Sequence, residues 1–137
     1  MEGHVNVTLL SRSRYDGGED VLAFAGNGLL KRTDDGWHLR YTASAQDGSR
    51  MASDIRLEGE TATVRNITGD YTMTLDPGKT TQARIPTQVG TLTMDVATRC
   101  LEWQLEEVPG RMIMDYTLMG MGQTLSDLYL TIYLTYK

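Results

Sequence analysis

The chain has 137 residues, 40% of them hydrophobic and 23% charged. That composition suits one folded domain, residues 1–137, with a sizeable core, and it excludes a disordered segment. A net charge of −5 and a pI near 4.9, with 13 Lys and Arg spread along the chain, speak against a nucleic-acid partner, which needs a dense basic patch.

The single cysteine, Cys100, allows no internal disulfide and no thiolate cluster for zinc, which fits a reducing compartment. Met1–Val7 carries neither a basic region nor an apolar run, and no apolar stretch reaches the roughly 18 residues of a membrane helix. The expectation is a cytoplasmic protein with no membrane partner. Asn6-Val7-Thr8 and Asn66-Ile67-Thr68 match the glycosylation tripeptide, but that modification needs a secretory route, so both are set aside.

Apolar and polar residues alternate from end to end, and spacings of three and four are nowhere sustained, so the chain reads as all-β. Val5, Val7 and Leu9 share one face of a first strand over residues 4–15, and Asp16-Gly17-Gly18 supplies a turn. The second strand, 20–33, is interrupted by Gly26 and Gly28, which predict a bend or bulge. Asp34-Asp35-Gly36 turns into Trp37, Leu39, Tyr41 and Ala43 on one face, with His38, Arg40, Thr42 and Ser44 on the other.

Turns then recur about every ten residues. Gln46-Asp47-Gly48-Ser49 leads to Met51, Ile55 and Leu57; Glu58-Gly59-Glu60 to Ala62 and Val64; Thr68-Gly69-Asp70 to Tyr71, Met73 and Leu75; and Asp76-Pro77-Gly78-Lys79 closes that strand. Pro86 marks an edge or a strand boundary. Leu92, Met94 and Val96 lie on even numbers, whereas Leu101, Trp103 and Leu105 lie on odd ones, so a bulge is expected near Thr98 to Cys100. Val108-Pro109-Gly110 precedes a last hairpin, 111–119 and 123–136, in which Leu128, Leu130, Ile132 and Leu134 oppose Tyr129, Thr131 and Tyr133. Short strands at this spacing predict an antiparallel, mostly up-and-down barrel of about eight to ten strands, because closure removes exposed edges.

Ile85-Pro86-Thr87-Gln88-Val89-Gly90-Thr91-Leu92-Thr93-Met94 resembles the Thr-Pro-aromatic-Gly-x-Leu-x-Met segment of the bacterial YwiB-like family, with the first two residues in altered order and the aromatic replaced. The resemblance continues through Thr98, Leu101, Tyr116-Thr117-Leu118, Gly122 and Ser126 to Leu130-Thr131-Ile132. Upstream, Phe24-Ala25-Gly26-Asn27-Gly28 and Met73-Thr74-Leu75-Asp76-Pro77-Gly78 are similar to the family's Phe-x-Gly-x-Gly and Met-x-Phe-x-x-Gly stretches. The resemblance implies a small calycin-type, lipocalin-like barrel without an assigned activity. A fold of this kind does not determine a function.

Chemistry-bearing motifs are sparse. Gly78-Lys79-Thr80 lacks the first glycine of a phosphate loop, where Met73 stands, and Lys31 replaces the third glycine of a dinucleotide fingerprint after Gly26-x-Gly28. His4 and His38 have no metal-ligand spacing to a carboxylate or to Cys100, so no metal and no cofactor is expected, and each reads as a surface residue. Cys100 reads as a small buried hydrophobe, reactive only if Arg99 lowers its pKa. Glu106 and Glu107 point to opposite faces and cannot flank one bond. Arg40, Arg99, Asp115 and Tyr116 form a polar set that a barrel could bring together, but no nucleophile, base and orienting group emerge, so a non-enzymatic role is expected.

Eight methionines beside one phenylalanine give the expected interior an adaptable lining. A small apolar or amphipathic ligand there would meet Trp37, Tyr41, Met73, Met94, Trp103 and Tyr116. The alternative is an interaction or assembly module with a filled core, monomer or homodimer, acting through Ile113, Met119, Tyr129, Tyr133 and the Met119-Gly120-Met121-Gly122 tip.

Overall fold

The alternating pattern folds into ten antiparallel strands. The computed structural model describes residues 2–137. The strands are β1 Gly3–Tyr15, β2 Gly18–Arg32, β3 Gly36–Ala45, β4 Arg50–Glu58, β5 Thr61–Asn66, β6 Tyr71–Leu75, β7 Thr80–Thr87, β8 Gly90–Gln104, β9 Gly110–Gly120 and β10 Gln123–Tyr136. Each pairs with its chain neighbours, and β1 pairs with β10, so the sheet is a closed barrel. Closure leaves no free edge, as the turn spacing led one to expect.

Strand parity decides what fills the barrel. Val5, Val7 and Leu9 of β1, Leu39 and Tyr41 of β3, Ile55 and Leu57 of β4, and Leu130, Ile132 and Leu134 of β10 are buried in one hydrophobic cluster. The expected bulge is present, because the β8–β9 register shifts between Thr98 and Cys100. Beyond the shift Leu101 pairs with Met114 and Trp103 with Met112, which returns the odd-numbered apolar residues of β8 to the core. A second shift, between Thr124 and Ser126 of β10, has no counterpart in the sequence reading.

Two expectations need correction. Gly26 and Gly28 mark no bulge, since the registers of β2 with β1 and β3 run through them unbroken. They allow close approach instead: a Cβ on Gly26 would lie 1.9 Å from the Thr42 carbonyl oxygen. The other is β7 itself, a strand the alternation does not announce; Pro86 lies one residue from its end, at the boundary it was expected to mark, and pairs with Thr91. It falls beside the β7–β8 turn, where a missing N–H costs little.

The meander puts turns 16–17, 46–49, 67–70, 88–89 and 121–122 at one end, here the upper, and the other turns with both termini at the lower. Near the upper turns Tyr15, Val21, Leu22, Ile67, Leu92 and Leu125 are exposed, and Val89 and Met121 are both 97% exposed. The lower end is closed by Leu30, Trp37, Leu57, Leu75 and Leu105, all buried. Arg32 lies 5.0 Å from the Trp37 ring centroid while its Nη1 bonds both carboxylate oxygens of Glu106, at 2.7 and 2.8 Å.

Candidate functional site: the barrel interior and its seams

Trp37, Tyr41, Met73 and Tyr116 all belong to the central cluster, Trp103 packs against it half-buried, and Met94 is buried. They do not form one wall. Trp37 follows the β2–β3 turn and Trp103 precedes the β8–β9 turn, so both form part of the lower floor. Tyr41, Met73, Met94 and Tyr116 line the bore above it.

Register adds a feature that residue type alone conceals. Tyr41 pairs with Ser53, Ser53 with Asn66, and Asn66 with Tyr71, so four adjacent strands carry one inward-facing polar row. Within it Asn66 Nδ2 donates to the Tyr71 hydroxyl at 3.1 Å, and the Tyr41 hydroxyl donates to Met51 Sδ at 3.4 Å. Burial pushes the Tyr41 phenol up to about 12, against a smaller opposing effect from its bond with Ser53.

Tyr116 faces this row from β9. Burial, and then proximity to Tyr71 and Tyr41, raises its pKa, so the phenol is neutral at physiological pH. Only 3% of the residue is exposed, and no buried side-chain oxygen or nitrogen among the described residues lacks a hydrogen-bond partner. The interior therefore sets a neutral phenol opposite the polar row, with apolar side chains around both.

The outer face of β3 and β4 carries a second polar group. His38 Nε2 donates to Asp54 Oδ1 at 2.7 Å, and Arg40 Nε and Nη2 donate to Asp54 Oδ2 at 3.2 and 3.0 Å. His38 is thus half-buried and engaged, not a free surface residue as the sequence suggested. Burial pushes the Asp54 carboxyl up, but the bonds from His38 and Arg40 outweigh it and hold the group below the ordinary carboxylate range. A depressed folded pKa stabilises the fold above the unfolded value and loses that contribution as pH falls through the folded value. Asp54→Asn is therefore expected to cost about 1–2 kcal/mol at pH 7, with the deficit shrinking below pH about 4. Urea midpoints measured across pH check this, and a deficit that does not change with pH would refute the assignment.

A third group lies across β8, β9 and β10. Arg99 Nη2 and Nε donate to Asp115 Oδ1 at 2.6 and 3.0 Å, and Arg99 Nη1 bonds Thr117 Oγ1 and, at 3.2 Å, Asp127 Oδ1. Thr117 Oγ1 donates to Asp127 Oδ1 at 2.5 Å. The set Arg40, Arg99, Asp115 and Tyr116 is thus dispersed: Arg99 meets Asp115, Arg40 joins Asp54, and Tyr116 points inward. Cys100 is half-buried with a thiol pushed up by burial and by Glu102 and Asp115, so the basic neighbour does not activate it. No group of three or more His, Cys, Asp or Glu suited to a metal occurs among the described residues.

A family model described as a domain of unknown function (DUF1934) matches residues 7–132. The chain is similar to the solved crystal structure of the ywiB protein from Bacillus subtilis, with 18% identity and a TM-score of 0.76 over 96% of this chain and 92% of that one. No curated protein matches. At this identity the likeness to the solved structure speaks for the fold.

Proposed function

The chain belongs to the DUF1934 family, as its resemblance to the YwiB-like barrels led one to expect, and from that fold we propose that it is a binding protein taking a small amphipathic ligand into its interior. The observation that carries this reading is the inward polar row Tyr41, Ser53, Asn66 and Tyr71, built only by strand register and facing the Tyr116 hydroxyl within an otherwise apolar interior. A ligand polar atom would bond to Tyr116 or to the row, while Met73 and Met94 adapt to the apolar part. Ten strands close into a wider barrel than the eight of a small lipocalin-like one. Trp37 and Trp103 form the floor on which the ligand rests.

A second reading, an assembly module, draws on the exposed Val89 and Met121 at the upper rim and on exposed Tyr129 and Tyr133 outside β10. Native mass spectra of gently purified protein distinguish the two. The interior reading expects a reproducible small-molecule mass increment, reduced roughly three- to tenfold in occupancy by Tyr116→Phe, the loss of one hydrogen bond. A ligand-free homodimer would overturn the interior reading and favour assembly.

A further inference from the structure

The seam between β6 and β7 differs from its neighbours. The β5–β6 ladder registers along all of β6, from Tyr71 to Leu75, and the β7–β8 ladder along all of β7, but β6 and β7 register only at Thr72 opposite Arg84. A side chain supplements the thin ladder, since the Thr81 hydroxyl donates to the Thr74 carbonyl at 2.5 Å. Above this seam an outer groove of about 610 Å³ is lined by Arg65, Asp70, Tyr71, Thr72, Gln82 and Arg84.

Two features give the groove a chemical preference. Arg65 and Arg84 both stand opposite Thr72, on β5 and β7, two strand spacings or about 10 Å apart at Cα, within reach of a shared ligand for two long side chains. Neither makes an ion pair among the described residues, although Asp54 lies opposite Arg65 in the β4–β5 register, because the Asp54 carboxylate is held by His38 and Arg40. Asp70 at the groove edge is the one carboxylate against these two guanidinium groups. Thr72 and Gln82 add a hydroxyl and an amide, completing a donor set suited to an oxyanion. Tyr71 belongs both to this groove and to the interior polar row, where it bonds Asn66.

We propose that the ligand is an amphipathic oxyanion whose head group sits between Arg65 and Arg84 over the β6–β7 seam, while its apolar part passes Tyr71 into the barrel. This rests on the interior-binding reading and adds the ligand's charge and its route of entry. The chemistry is that of a carboxylate or a phosphate on an apolar chain.

Calorimetric titration with decanoate, decyl phosphate, decanol and inorganic phosphate, each below any micelle concentration and at low salt, tests the proposal. Decanoate and decyl phosphate are expected to bind at one per chain and on the order of fivefold tighter than decanol, the scale of an exposed ion pair. Arg65→Ala and Arg84→Ala, both at exposed positions, should bring the anions to the decanol affinity and leave decanol and the melting temperature unchanged. Equal affinity for anions and decanol, or variants without effect, overturns the anion site and leaves interior binding standing. Inorganic phosphate binding as tightly as decyl phosphate overturns entry past Tyr71. Binding of none of the amphiphiles overturns the interior reading itself.

Discussion

Gly26→Ala is expected to destabilise the folded barrel severely. The added Cβ would stand 1.9 Å from the Thr42 carbonyl oxygen and 2.7 Å from the Ala43 Cα, both backbone atoms of the neighbouring strand. No rotamer change relieves such a clash. Strand β3 must move, which breaks the β2–β3 ladder on both sides of the Gly26–Ala43 pair and lifts Tyr41 and Ala43 from the core. The expected loss exceeds about 4 kcal/mol, a large share of the roughly 5–15 kcal/mol that holds a domain together. Gly48→Ala is the control, because nothing lies within 4 Å of its added methyl and only its φ of +90° opposes the change. That strain costs about 1–2 kcal/mol. Circular dichroism melts of the two variants should differ by tens of degrees, and a cooperative Gly26→Ala melt close to that of Gly48→Ala would refute the close approach of β2 and β3.

Ile55→Ala comes next in size. Ile55 is 0% exposed and sits between Leu39 and Val64 on the inner face. Truncation removes three carbons from a packed region whose neighbours are held by ladders on both sides, so the space cannot collapse. The expected destabilisation is about 3–4 kcal/mol, against about 1 kcal/mol for Ile55→Val. Urea unfolding reads both, provided the m-value is unchanged. An Ile55→Ala cost under about 1 kcal/mol would mean that the middle of the barrel is loosely filled.

Much of this fold was legible because a strand with one buried face has to alternate. The parity slip between Val96 and Leu101 even located a bulge, since an apolar set can return to the core only through an extra residue. Strand β7 escaped notice because Ala83 is small and Pro86 reads as a boundary, leaving Thr81, Ala83 and Ile85 too weak an alternation. The shift at Leu125 was equally silent, as no apolar run changes parity there. For the interior, Tyr41 and Tyr116 announce themselves as aromatics on apolar faces. Ser53, Asn66 and Tyr71 do not, because their alignment exists only in the register of four strands, and Asn66 reads in the sequence merely as part of a tripeptide. Arg65 and Arg84 look like ordinary solvated charges until Thr72 is seen to lie between them.

Closure has one further consequence. Every ladder but one joins strands that follow each other in the chain, so zipping from turn to turn yields an open meander at little loop-closure cost. Only the β1–β10 ladder, from Val5 opposite Tyr136 to Arg14 opposite Asp127, turns that meander into a ring. Whenever this ladder parts, the chain presents two sticky borders at once. One of them, β10, carries Leu128, Leu130 and Ile132 on one side and Tyr129 and Tyr133 on the other, a stretch suited to pairing with strangers. The clasp between the two ends of the chain is therefore what keeps each molecule from adhering to the next.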